Sequence, residues 1–275
     1  MTQYAMDNDA YQLVYDVLSF SLASMMATTV FLFMRAPGVL DKYRTALIIS
    51  GLVTFIAAYH YIRIFNSWVE AYEYPKAENT HFCWPAPLPP PAIAEYPSPL
   101  MTGVPFNDAY RYMDWLLTVP LLLMEIVLVM SLPAEESSSK CQTLGLGSAL
   151  MIISGYKGEL VVQGNLSARW GSWCLSMCFF LWIVYTLLVG LSAATESERD
   201  PAVKAKIKTA QWWTVISWCT YPIVYLFPML QIGGAAAVVL IQVGYCISDI
   251  ISKCGVGLVV YQITIMKSRN EGGGR

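Results

Sequence analysis

Seven apolar runs of about twenty residues succeed one another along the chain, at roughly 12–34, 45–66, 107–131, 142–163, 169–191, 209–230 and 235–265. As helices rising about 1.5 Å per residue, each is long enough to cross a hydrocarbon core of about 30 Å. Between them lie helix-stopping segments. These are Ala-Pro-Gly at 36–38, a proline-rich stretch at 84–99, Pro-Ala-Glu-Glu-Ser-Ser-Ser at 133–139, Gly-Asn at 164–165, a charged run at 195–208 and Gly-Gly at 233–234. The pattern predicts an all-α fold, one seven-transmembrane-helix bundle forming a single domain over residues 1–275. Seven crossings put the termini on opposite sides of the bilayer. The long connection at about 67–105 contains Pro-Ala-Pro-Leu-Pro-Pro-Pro, too poor in backbone donors for a regular helix or sheet, and is expected to form a cap with a short hairpin.

Composition supports this reading. Of 275 residues, 56% are hydrophobic and only 13% charged, far more apolar material than one soluble core requires. A net charge of −2 leaves no basic stripe for a phosphate backbone, which excludes a nucleic-acid partner. Cys174, Cys178, Cys219, Cys246 and Cys254 fall inside apolar runs, so the seven cysteines read as packing residues, not a disulfide framework. The first twenty residues carry Asp7, Asp9 and Asp16 and no basic cluster, so the first helix is expected to insert as a signal anchor. Arg35, Lys42, Arg44, Lys140, Arg199, Lys204, Lys206, Lys208, Lys267, Arg269 and Arg275 all fall on one face, eleven of the seventeen basic residues. By the positive-inside rule that face, with the C-terminus, is cytoplasmic, and the N-terminus and the 67–105 cap are outside.

A charged group at the centre of a spanning helix costs about 2.5 to 3.5 kcal/mol on insertion scales. Six residues stand out on that ground: His60, Arg111, Asp114, Glu125, Asp249 and Lys253. At about 100° per residue, Arg111, Asp114, Thr118 and Glu125 share one face of the third helix about 60° wide, with Asp114 and Glu125 roughly 16 Å apart along the axis. Asp249 and Lys253 are an i, i+4 pair on the seventh helix. Two readings of that pair stay open. One is a structural salt bridge; the other is an amine that forms a Schiff base with a carbonyl ligand, its cation balanced by Asp249 and Asp114. Trp115, Trp218, Tyr221 and Tyr225 have spacings suited to a flat slot for a conjugated chain, although such stripes more often serve packing. His60, taken alone, reads as a packing histidine, and His81 with Cys83 as ordinary loop residues, too few for a metal site.

Four strings carry a resemblance: Arg-Tyr-Met-Asp-Trp-Leu-Leu-Thr-Val-Pro-Leu-Leu-Leu-Met-Glu (111–125), Ser-Asp-Ile-Ile-Ser-Lys (248–253), Trp-Cys-Thr-Tyr-Pro (218–222) and Ala-Ala-Tyr-His-Tyr-Ile-Arg-Ile-Phe-Asn-Ser-Trp (57–68). They resemble the microbial (type 1) rhodopsins, and within them the proteorhodopsin and xanthorhodopsin branch, including its eukaryotic algal and protist members. The resemblance covers all seven helices. It implies a light-driven outward proton pump rather than an enzyme, in a plasma membrane or a eukaryotic endomembrane. Lys253 would hold all-trans retinal as a protonated Schiff base, with Asp114 the proton acceptor and primary counterion, Asp249 the second counterion and Glu125 the cytoplasmic proton donor. Arg111 would order the site from outside, Thr118 would complete the proton-pump triplet with Asp114 and Glu125, and His60 would hydrogen-bond the counterion. Met151, Gly155, Ser176, Phe180, Trp115, Leu122, Trp218, Tyr221, Pro222 and Tyr225 align with the pocket walls, and leucine at 122 goes with green absorption.

Partners implied are the lipid bilayer, protons and further copies of the chain, as a pentamer or trimer. Trp173 stands where antenna-binding relatives have a glycine, which puts a carotenoid antenna in doubt. A photosensor of the same fold and a light-gated channel remain the alternatives. A carboxylate at 125 argues against the first, and the lack of a row of carboxylates on the second helix against the other. No nucleophile and base pair suggests a membrane enzyme.

Overall fold

The computed structural model describes residues 5–73, 98–130, 132–162 and 164–272. The first two apolar runs form α1 (Asn8–Arg35) and α2 (Asp41–Ala71), with Asp7 capping α1 by accepting from the Ala10 N–H at 2.7 Å. Between them Ala36-Pro37-Gly38 makes one 3-10 turn. The short strands β1 (Tyr72–Glu73) and β2 (Leu100–Met101) then pair antiparallel, Tyr72 opposite Met101. Residues 74–97, with His81, Cys83 and all but the last two positions of the proline-rich stretch, lie outside the described residues.

The third and fourth spans are α3 (Ala109–Leu128) and α4 (Ala134–Tyr156). α4 begins earlier than the hydropathy boundary because Pro133 starts it and Glu135 and Glu136 favour its positive N-terminal end. It runs on through a π-helical turn, Lys157–Val161. The fifth span is α5 (Leu166–Tyr185), followed by a second π turn, Thr186–Gly190, and the short α6 (Ser192–Glu196).

The sixth span is two helices, α7 (Pro201–Trp218) and α8 (Thr220–Met229). The break at Cys219 has a local cause: Pro222 has no N–H, and its ring collides with the carbonyl four residues back, that of Trp218. The seventh comprises α9 (Ala235–Asp249), a π turn over Ile250–Gly255 that contains Lys253, and α10 (Val256–Gly272).

Chain neighbours α1 to α5 pack side by side in order, and α1 also meets α9 while α7 meets α10, which closes the bundle. Large apolar side chains such as Phe20, Met34, Leu181, Ile216 and Leu240 point outward, as a lipid-facing surface requires. Among the described residues, four helices are long and apolar enough by composition alone to cross a membrane: Asn8–Gly38, Asp41–Ala71, Leu166–Glu196 and Ala235–Gly272. The third span fails that test because it carries Arg111, Asp114 and Glu125. The sixth is divided at Cys219. The six described cysteines are free, with Cys246 and Cys254 buried and Cys174 and Cys178 on the outer surface.

Candidate functional site

α3 brings its polar face inward. Arg111, Asp114, Thr118 and Glu125 are all buried, at 1% exposure or less. Thr118 donates to the Asp114 carbonyl at 2.9 Å, the usual backbone bond of a helix-borne threonine. Pro120, inside α3, removes one backbone donor between Asp114 and Glu125.

On the seventh span the π turn inserts an extra residue per helical turn, and Lys253 projects from it into the bundle. Its Nζ lies 2.7 Å from Asp114 Oδ2 and 2.8 Å from Asp249 Oδ1. All three residues are 1% exposed, so the two carboxylates enclose the amine away from solvent. The carboxylates are not equivalent. Asp249 accepts from Tyr221 at 2.6 Å on Oδ1 and from Tyr61 at 2.9 Å on Oδ2. Asp114 Oδ1 has no hydrogen-bond partner.

The expected hydrogen bond from His60 to Asp114 is not formed. His60 is buried on α2 with Nδ1 unpartnered and its ring edge-on to Tyr59, while the Asp114 carboxylate turns to Lys253. Toward the N-terminal end of the bundle, Arg111 donates to Gln242 Oε1 at 2.5 Å and lies 5.0 Å from the Tyr245 ring centre. Gln242 in turn reaches Asp108 Oδ1 at 3.4 Å. Toward the other end, the Glu125 carboxyl is fully buried, with the buried Ser50 hydroxyl of α2 as its polar neighbour and no cation beside it.

Beside the triad is a cavity with about 640 Å³ of unfilled space, counting the part that is open. Trp115, Met151, Gly155, Ser176, Phe180, Trp218, Tyr221, Pro222 and Tyr225 line it, together with Tyr112, Val119, Ile152, Trp173, Met177 and Tyr245. Leu122 is buried one turn beyond Thr118 but is not among the lining residues. Trp115 and Tyr221 stand 4.9 Å apart at the end nearest Lys253, since Tyr221 also bonds Asp249. An apolar, aromatic-walled slot next to a buried amine suits a flat, conjugated aldehyde such as retinal. Two lining residues, Trp115 at Nε1 and Tyr225 at its hydroxyl, carry buried polar atoms without partners, as does the nearby Asp114 at Oδ1. Trp173 forms part of the wall and donates its indole N–H to the Pro222 carbonyl at 3.2 Å.

Two further buried carboxyls, Asp108 and Glu159, are absent from the six ionisable groups singled out by the hydropathy reading. Glu159 accepts a short hydrogen bond from the Tyr112 hydroxyl. Met151 and Gly155 line the cavity, while Glu159, four residues on, lies on the π turn and outside the lining.

The sequence matches the family described as Bacteriorhodopsin-like protein over residues 15–266. The crystallographic structure of xanthorhodopsin, a light-driven ion pump with dual chromophore, matches with a TM-score of 0.85 and 37% identity, covering 98% of this chain and 99% of that one. A thermophilic rhodopsin matches at a TM-score of 0.86 and 37% identity, over 98% of this chain and 100% of its own. The green-light absorbing proteorhodopsin of Gamma-proteobacterium EBAC31A08 is 28% identical over 258 residues, 93% of this chain and 89% of that protein. With the match running through all seven spans, the chain belongs to the bacteriorhodopsin-like family of retinal-binding, multi-pass membrane proteins.

Proposed function

We propose that this protein is a light-driven outward proton pump, that Lys253 carries its retinal, and that the seven helices act as a single transport domain. The observation that carries the reading is the Lys253 amine, buried between Asp114 and Asp249, with a third carboxyl, Glu125, on the same face of α3 toward the opposite end of the bundle. Lys253 would hold all-trans retinal through Nζ, and the chromophore would supply a light-driven isomerisation that changes where the Nζ proton points.

The protein's own groups determine where that proton goes. Asp249 is fully engaged by Tyr61, Tyr221 and Lys253, so it acts as the fixed second counterion. Asp114 has a free Oδ1 and is the acceptor. Once Asp114 is neutral and Nζ has lost its proton, both members of the original ion pair are uncharged, which suits their apolar surroundings. Glu125, buried with no cation on it, holds a proton that can move to Nζ from the other side. Between Glu125 and Asp114 the buried Leu122, Leu123 and Val119 keep bulk water from short-circuiting the two half-paths. The aromatic wall orients the chromophore, and Arg111 with Gln242 closes the side of the site opposite Glu125.

The excess of lysine and arginine at the C-terminal end orients the bundle with Glu125 toward the cytoplasm and Arg111 toward the outside, so net proton movement is outward. Trp173 at the wall favours a pump without a carotenoid antenna. The relatives are consistent with this function: one is a light-driven ion pump and another a light-absorbing proteorhodopsin.

Flash photolysis of Glu125→Gln tests the reading against a sensor that shares the chromophore. The substitution keeps the shape and removes the proton source, so Nζ must recover its proton from bulk water. Recovery should slow strongly, become proportional to proton concentration, and be restored by azide, a small diffusible acid. An unchanged, pH-independent recovery would make Glu125 a packing residue and remove the cytoplasmic half of the pump.

A further inference from the structure

Two arginines at the C-terminal end of the bundle have no part in the transport path. On α1, Phe31 and Arg35 are four residues apart, and on α10 Tyr261, Ile265 and Arg269 repeat the same step, so each helix carries an apolar stripe that ends in an arginine. The stripes meet. The Phe31 and Tyr261 rings pack edge to face with centres 5.0 Å apart, and the Arg35 guanidinium lies 5.6 Å from the centre of the Phe31 ring. Beyond that contact, Pro37, Gly38 and Leu40 of the turn and Ile265 and Arg269 of α10 enclose an open cleft with about 670 Å³ of unfilled space, counting the part that is open. The Leu40 N–H donates to Ser268 Oγ at 3.0 Å, which ties the turn to α10.

The segments that form the cleft, 31–45 and 256–272, carry five basic residues and only two acids, Asp41 and Glu271. Both acids are taken. Asp41 is held by Arg44 at 2.7 Å, and Glu271 by Lys42 and by the Tyr43 hydroxyl. Lys267 pairs with Glu198. Among the described residues neither Arg35 nor Arg269 forms an ion pair, so the positive charge beside the cleft is unbalanced within the chain. The cleft lies where two candidate spans end, Asn8–Gly38 and Ala235–Gly272, the depth at which the headgroups of a bilayer begin. Val30 and Met34, each one residue before a member of the α1 stripe, are 59% and 75% exposed and bring the lipid-facing surface up to the rim.

We infer that this cleft binds one anionic phospholipid, its headgroup phosphate held by Arg35 and Arg269 and an acyl chain laid along the seam between the Phe31 and Tyr261 stripes. Guanidinium groups suit a phosphate because their planar N–H donors match two of its oxygens at once. A net negative headgroup is favoured over a zwitterionic one, whose ammonium would add to a charge already in excess. The apolar seam selects a lipid over free phosphate, which has nothing to set against Leu40 and Ile265. The inference is independent of the pump reading and requires only a membrane around the bundle.

Native mass spectrometry of the full-length protein in detergent, titrated with phosphatidylglycerol or with phosphatidylcholine, tests the site. The wild type should retain one phosphatidylglycerol in preference to phosphatidylcholine, and excess inorganic phosphate should not displace it. Arg35→Gln and Arg269→Gln should each weaken retention about fivefold, and together about thirtyfold, the scale of a basic residue at a membrane surface. Lys140→Gln, which removes a basic residue of α4 outside the cleft, should leave retention unchanged. An added Cβ at Gly38 would meet nothing within 4 Å, so Gly38→Trp should fill the cleft while both arginines stay, and retention should be lost. Equal retention of the two lipids, displacement by phosphate, an equal loss in Lys140→Gln, or undiminished retention in Gly38→Trp would overturn the inference.

Discussion

Lys253 is held by opposite charges at 2.7 and 2.8 Å, and these contacts mark it out from the other lysines. Lys267, the other buried one, donates to the Val129 carbonyl at 2.8 Å and pairs with Glu198 at 2.7 Å at the C-terminal end of the bundle, away from the cavity. Replacing Lys253 with Ala should therefore leave a protein that takes up no visible chromophore. A retained visible band with an imine signature would show that another amine serves. Asp114→Asn should shift absorption to the red and abolish pumping, because the negative charge beside Nζ is lost. An unshifted spectrum would contradict its place as counterion. Leu122→Gln should shift absorption to the blue from a green wild type, read directly by absorption spectroscopy. The Asp249–Lys253 pair was legible in the sequence because i, i+4 spacing on a helix fixes contact. The Lys253–Asp114 pair stood only as one of two open readings of the buried charges until the resemblance assigned it a role, since no local rule connects residues on different helices. Glu159 went unread because its burial depends on how the end of the fourth span packs, which no local pattern fixes. Nothing in the sequence showed that His60 Nδ1 would be unpartnered, because that depends on the direction Asp114 takes.

The interruptions are the informative parts of the helices. The break at Cys219 could be read from Pro222, whereas the π turns at 157–161, 186–190 and 250–255 left no mark in hydropathy, since one added residue does not change which residues are apolar. Gly158→Ala puts a methyl where the Tyr225 hydroxyl lies, and overpacking of this kind should cost about 1 to 3 kcal/mol, measured as a lower unfolding temperature of the purified protein. Unchanged stability would mean that α8 shifts freely to make room. At the loop end of α7, Asp200 accepts from the backbone N–H of Ala202 at 2.8 Å and from Asn270 Nδ2 at 2.6 Å. The Asn270 hydrogen bond first, then that backbone bond, hold its carboxyl below the usual carboxylate range. A lowered native value means that the contribution is present above the unfolded value of about 3.9 and is lost as pH falls through the native one. Thermal unfolding of Asp200→Asn should accordingly lose less stability than the wild type between about pH 5 and pH 2. Parallel losses would remove Asp200 from the account.

Across the whole molecule, the seven spans and their order were legible because each must be apolar for about twenty residues. Their packing was not, since helices that are apolar on most sides do not declare which face meets which neighbour. The arrangement gathers Asp114, Asp249 and Lys253 inside the bundle, with Glu125 farther along α3 toward the lysine-rich end and Arg111 toward the other. Direction is the property that only the assembled molecule has. It is measured most directly as the pH of an unbuffered suspension of cells that express the protein and are supplied with retinal. Illumination should acidify the medium, and a protonophore should abolish the change. Light-induced alkalinisation, or no change in cells that contain coloured protein, would contradict an outward proton pump.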